Sequence, residues 1–211
     1  PTLSRAQALW QPVRTQGQDS LARAVTNGLY GAIRFLDVSL AAGPKPILGA
    51  ELIHHRHRAL LLARTPEGYA NLCRLLSARH GDEFFDFIGA VARHRAGLVI
   101  LSDDLPALTA WRQDSIEALY VELTPGPDLH EAVAFSRRTG LPPVATTRAM
   151  FLHPVDYQAH RLLRAIAENT TLSRLRPDHC CSPSHCLMPL PALVRHLPHV
   201  PQALTYPPPL P

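Results

Sequence analysis

Glu51, in the run KPILGAELI, and His80, which closes TPEGYANLCRLLSARH, are the residues whose types and placement most suggest chemistry. A carboxylate on an apolar strand and a histidine ending a helix are hydrolytic metal ligands by type, and they fall where α/β proteins hold ligands, in the crevice beyond the carboxyl ends of the strands. Other groups invite similar readings. His54, His55 and His57 alternate in IHHRHRA and could imitate a metal pair, but a hairpin accounts for them. Cys180, Cys181, His185 and Cys186, with His179 beside them, form a nominal zinc set. Structural zinc favours cysteines two to four residues apart, whereas adjacent Cys180 and Cys181 point apart, so a polar loop is the simpler reading. Gly28 and Gly31 lack the third glycine of a dinucleotide turn and are read as letting a turn pack tightly.

The elements that must position these residues alternate. A strand is expected over 21–26, then a helix carried by Ile33, Leu36 and Leu40 and ended by Gly43, then strands over 46–53 and 59–63. Thr65 as N-cap and Pro66 at the first helical position open a helix to His80. Helices over 84–93, 105–112 and 129–139 alternate with the apolar strands GLVILS, ALYVEL and VATT, and Gly140 stops the third helix. A helix over 155–169, a loop over 173–186 and the short helix PLPALVRHL follow. Continuous apolar strands joined by helices imply an α/β fold whose parallel sheet is covered on both faces or closed as a barrel. Residues 1–205 read as one domain, of which 1–17 form a divergent amino-terminal helix with Leu3, Ala6, Leu9 and Trp10 on one side, and 206–211 as a proline-rich tail.

With 211 residues, 46% of them hydrophobic, the chain can bury one core. Its net charge of +4 is spread along the sequence, and no Lys/Arg run with interleaved aromatics offers a phosphate-tracking surface, so direct DNA contact is weakly supported. There is no apolar run of about 18 residues and no signal peptide, which points to the cytoplasm and away from membranes. Four cysteines are too few for a disulfide framework and are read as thiols.

From Gln18 to Leu204 the segments TNGLYG, PILGAEL, LLLARTPEGYANLCRLLSARH, GLVILS, YVELTP, GLPPVATT, AHRLLRAIAENTTL and HLPHVPQAL recur in the order of one family. They are closely similar to the polymerase-and-histidinol-phosphatase (PHP) domain of bacterial DNA polymerase III alpha subunits and their error-prone relatives. The resemblance implies a distorted (β/α)7-type barrel, which in active members holds zinc, manganese or magnesium for phosphoester hydrolysis or 3′–5′ proofreading. Against the family pattern most ligand positions are changed. No histidine precedes His54, so the first-strand His-x-His is absent and the barrel is expected to be incomplete at its first strand. Val25, Thr26 and Asn27 stand at the Asp-His step, and Arg148 and Met150 at the Asp-x-His positions. Glu51 and His80 match; Asp103 and Asp104 stand where a Gly and a Cys are usual, and although an aspartate can ligate, Asp104 at a helix start is read as an N-cap.

The vestigial metal positions are thus Glu51, His80, Asp104, Arg148 and Met150. Two matching ligands fall short of the roughly three that even one catalytic zinc needs. The expectation is a catalytically degenerate domain with no catalytic residue and no cofactor, in which Arg148 pairs with Glu51 and His80 caps its helix. The implied role is structural, toward the polymerase domains of the same alpha subunit and other replisome subunits. The alternative is a stand-alone metal-dependent phosphoesterase or 3′–5′ exonuclease, and ligand count separates the two.

Overall fold

Local capping fixes where three of the helices begin in the computed structural model, which describes residues 20–42, 45–197 and 199–204. In chain order these are β1 (Ser20–Thr26), α1 (Ala32–Ala42), β2 (Lys45–His54), β3 (His57–Ala63), α2 (Pro66–Gly81) and α3 (Phe87–Arg93). They continue with β4 (Leu98–Ser102), α4 (Leu105–Gln113), β5 (Leu119–Leu123), α5 (Leu129–Thr139), β6 (Pro143–Ala145), α6 (Tyr157–Ala167) and α7 (Leu190–His196). Single 3-10 turns lie at Pro154–Asp156, Pro177–His179 and Pro201–Leu204. Thr65, Asp86 and Asp104 each accept a hydrogen bond from the N–H three residues on, at 3.0–3.1 Å. Each oxygen satisfies an amide that the first helical turn leaves unpaired. The cap at Asp86 starts α3 at Phe87 rather than at Phe84. Gly140, with φ 75°, closes α5 in the left-handed conformation that glycine adopts without strain.

Six strands form one sheet in chain order, β1-β2-β3-β4-β5-β6. The apolar strands suggested a parallel sheet, but the sheet is mixed. β3 runs antiparallel to both β2 and β4, while β1–β2, β4–β5 and β5–β6 are parallel. The reversal follows from the tight connection at His55 and Arg56, which returns the chain on the closing pair His54–His57 and leaves His55 with φ 52°. Strand alternation then splits the sheet into two faces. Ala50, Leu52, Leu61, Ile100, Leu119, Val121 and Leu123 face the helices and pack with Leu72, Leu75, Val91, Leu108, Trp111 and Phe135. On the other face Leu62, Val99, Leu101, Tyr120 and Val144 make a smaller apolar layer, and that face carries charged side chains at its carboxyl rim. The amino-terminal helix, the missing first strand and the proline-rich tail are expectations on residues 1–19 and 205–211, outside the described residues.

α2 rests directly on the turn before β4. A Cβ on Gly68 would overlap the Gly97 carbonyl, Gly97 has φ +70°, and Asn71 Nδ2 donates to Ala96 O at 2.9 Å across the same contact. Gly68→Ala must therefore push a buried helix off its strand. Its expected cost is about 1–3 kcal/mol or more in urea melts. Gly81→Ala at the end of the same helix, where a Cβ meets nothing within 4 Å, should be neutral or stabilising by up to about 1 kcal/mol. Equal effects of the two changes would refute the close approach.

Candidate functional site

The charged rim is built by side chains that the sheet register aims at one point. Glu51 on β2 lies opposite Leu60, and Arg58, two residues from Leu60 on β3, is its diagonal neighbour on the same face. Arg58 Nε donates to Glu51 Oε1 at 2.6 Å, while Nη1 donates to Asp103 Oδ1 at 3.2 Å and to Glu122 Oε2. Glu122, on β5, is 1% exposed, so its charge cannot rely on water. Arg148, beyond β6, adds a second guanidinium through Nη2 to Asp103 Oδ2 and, at 3.4 Å, to Glu122 Oε2. The two outer carboxylate oxygens accept from hydroxyls: Thr26 Oγ1 to Glu51 Oε2 at 2.7 Å and Thr146 Oγ1 to Glu122 Oε1 at 2.6 Å. Three carboxylates thus share two fixed cations.

Titration follows from this packing. Burial alone would raise the Glu122 carboxyl, but Arg58 and Arg148 and the hydrogen bonds from Arg58 and Thr146 hold it below the usual carboxylate range. Burial opposes the Arg58 charge, and Glu122, Glu51 and Asp103 outweigh it, raising Arg58 further. His185 lies close enough to feel the same cations: burial first, then Arg148 and Arg58, lowers its pKa and favours the neutral imidazole.

Two satellite arrangements flank the cluster. His57 Nδ1 meets Asp104 Oδ2 at 2.6 Å with its ring stacked on Phe87, while Asp104 also caps α4. Asn27, at φ 49°, extends the β1–β2 pairing by one rung. Its N–H donates to Glu51 O at 2.8 Å, its Oδ1 accepts from Ile53 N at 2.8 Å, and its Nδ2 donates to Ile53 O at 3.1 Å.

The structure redistributes several sequence assignments. Arg148 pairs with Asp103 and Glu122 rather than with Glu51, because Arg58 already occupies Glu51 from the adjacent strand. His80 does not cap α2; Asp82 is the C-cap residue, and the His80 ring donates through Nε2 to Asn27 O at 2.7 Å. Met150 is exposed beside the site, and its backbone N–H donates to His185 O. Asp104 is the N-cap expected of it. Cys180, Cys181, His185 and Cys186 are not gathered. Cys181 N–H donates to His160, Cys186 is buried in a bridge to Phe151, and His185 lies toward the charged rim. Among the described residues no group of three or more His, Cys, Asp or Glu is placed to hold a metal ion. The charged rim does not fit one either, since the carboxylates that could ligate a cation already converge on guanidiniums. Sequence reasoning passed over Arg58 and Glu122, although a lone carboxylate inside the apolar run ALYVEL was the signal that a buried counter-charge had to exist.

Comparison with known proteins places this geometry in context. The family model described as PHP domain matches residues 3–121. A DNA polymerase III subunit alpha from Pasteurella multocida is 28% identical over 67% of this chain, which spans 15% of that protein. Error-prone DNA polymerases are 28% identical over 95% of the chain in Symbiobacterium thermophilum and 36% identical over 71% of it in Anaeromyxobacter dehalogenans. The chain spans 23% and 12% of their respective lengths. A solved chain from Bifidobacterium adolescentis, provisionally described as a metal-dependent phosphoesterase, aligns with TM-score 0.42 and 12% identity over 67% of this chain and 81% of its own.

Removing one partner of the buried pair should leave the other uncompensated. Arg58→Met is expected to cost about 3–5 kcal/mol at neutral pH, because Glu122 stays buried with less opposing charge. Since the folded Glu122 carboxyl titrates below its unfolded value, its contribution is full above the ordinary carboxylate range and is lost as pH falls through the lowered value. Glu122→Gln should therefore flatten the acid side of the stability profile between neutral pH and about pH 3. Urea midpoints across that range check both; a wild-type acid limb that Glu122→Gln leaves unaltered would contradict the pairing.

Proposed function

The chain belongs to the PHP domain family, and we propose that it is a catalytically degenerate member of that family, acting as a structural domain of a C-family DNA polymerase alpha subunit, replicative or error-prone. The observation that carries this reading is the pair of guanidiniums, Arg58 and Arg148, lodged among Glu51, Asp103 and Glu122. A fixed cation that cannot be deprotonated holds those oxygens and repels a divalent ion approaching them. With those oxygens held by guanidiniums, the charges of the crevice serve to fasten strand ends.

A structural role needs a surface, and α6 supports one. Val155, just before the helix, and Leu162, Leu163 and Ile166 are 50–76% exposed and share a side, while Ala165 is the buried residue of that helix. Single exposed apolar residues are ordinary, but a stripe of four marks a contact. Its proposed occupant is the polymerase portion of the same alpha subunit, because the relatives named above carry more than three-quarters of their length outside the part this chain spans. Contacts with other replisome subunits and a cytoplasmic setting follow from the same reading. No helix among the described residues is long and apolar enough to cross a membrane.

The purified chain should release no product from a model phosphodiester above the buffer rate, with or without added manganese. Chelator should leave its melting temperature unchanged, since a bound metal would have contributed stability that chelation removes. The double change Arg148→Asp, Met150→His should remain inactive, because Arg58 still occupies the carboxylates. Chelator-sensitive hydrolysis by the unaltered chain would overturn the reading in favour of a metal-dependent phosphoesterase or 3′–5′ exonuclease.

A further inference from the structure

Four hydrogen bonds converge on Asn27, the residue that follows β1. Its N–H donates to Glu51 O at 2.8 Å, and its carbonyl accepts from His80 Nε2 at 2.7 Å. Its side chain accepts from Ile53 N through Oδ1 at 2.8 Å and donates through Nδ2 to Ile53 O at 3.1 Å, so the carboxamide copies the two backbone groups of a further strand residue. The main chain meanwhile turns away at φ 49°, a left-handed conformation that asparagine tolerates. The next residue is Gly28.

We propose that Asn27–Gly28 is a deamidation site, held closed by the fold and exposed to reaction when β1 leaves β2. A glycine after asparagine carries no side chain to shield its amide nitrogen or to restrict its backbone. Once the carboxamide is free, Gly28 N gives its proton to water and bonds to Asn27 Cγ, and Nδ2 leaves as ammonia. Water then opens the resulting succinimide at one of its two carbonyls, yielding aspartate or isoaspartate at position 27. Asn71 and Asn169 precede Leu72 and Thr170, whose side chains hinder the same attack. In the folded chain both polar atoms on Asn27 Cγ are engaged by Ile53, so this carbon is held toward β2, and attack requires both bonds to break. Among the described residues β1 pairs with β2 alone, so one separation releases the site. Isoaspartate adds a carbon to the main chain between the amide that reaches Glu51 O and the carbonyl that meets His80. A chain that reacts while open therefore cannot close again in the same register.

Peptide mass spectrometry of the full chain, aged in mildly alkaline buffer with and without unfolding urea, tests the proposal. In urea, aspartate and isoaspartate should accumulate at residue 27 several-fold faster than at residues 71 and 169, and Gly28→Ala should slow the reaction several-fold. That variant is compared only in the unfolded state, so its effect on folding does not matter. Without urea, modification at residue 27 should be at least about tenfold slower. Its rate should equal the urea rate multiplied by the open fraction that hydrogen exchange gives for Ile53 N–H, whose acceptor is Asn27 Oδ1. Equal rates with and without urea would overturn the proposal, as would a folded rate above that product, since attack would then proceed without strand separation. An Asn27 that stays intact in urea while Asn71 or Asn169 reacts would overturn it equally.

Discussion

The contact between Arg58 and Glu122 is the constraint on which the rest of the crevice depends. A carboxylate with 1% exposure carries a desolvation cost that only a close, hydrogen-bonded cation offsets. Because the guanidinium is planar and presents donors on several sides, the same Arg58 that neutralises β5 also holds Glu51 of β2 and reaches Asp103 after β4. One side chain on an antiparallel strand thereby binds both halves of the sheet. Arg148 tightens the far side, and the threonines of β1 and the segment after β6 complete the carboxylate shells. A metal cluster would perform this cross-linking with ligand bonds; here charge-assisted hydrogen bonds do it.

What the sequence disclosed was whatever is encoded over short range. The helix after Thr65 and the helix ended by Gly140 were legible because a capping oxygen and a left-handed glycine act within a few residues of the boundary they set. The strand series was legible from apolar runs. Strand direction was legible only at the His54–His57 hairpin; that β3 also runs antiparallel to β4 was not. Nor was the pairing at the rim. Arg58 and Glu122 lie 64 residues apart and meet only through the register of β3, β4 and β5, so a positional guess joined Arg148 to Glu51 when a nearer arginine had claimed that carboxylate.

The histidines show the same division. His80 matched a metal position and His57 could imitate one, yet each makes a hydrogen bond that joins separate elements: His57 ties the hairpin to the start of α4, and His80 ties the end of α2 to the turn after β1. Imidazole suits such posts because one ring nitrogen can donate while the other accepts. Their placement at that rim of the sheet follows from where loops converge in an α/β fold, which is also why the same places suit ligands in proteins that bind them.

Strand order gives the molecule a direction of assembly. Every strand pairs with the strand immediately before it, so the sheet can be laid down from β1 to β6 in the order of translation, with no strand waiting for a distant partner. The charges follow a different schedule. Glu51 and Arg58 emerge together, Asp103 and Glu122 join them, and Arg148 arrives only after the last strand. A chain halted before that residue would hold the whole sheet with one guanidinium shared among three carboxylates. The backbone pattern is thus complete before its electrostatics are, and the final arginine acts as a keystone set after the arch is standing.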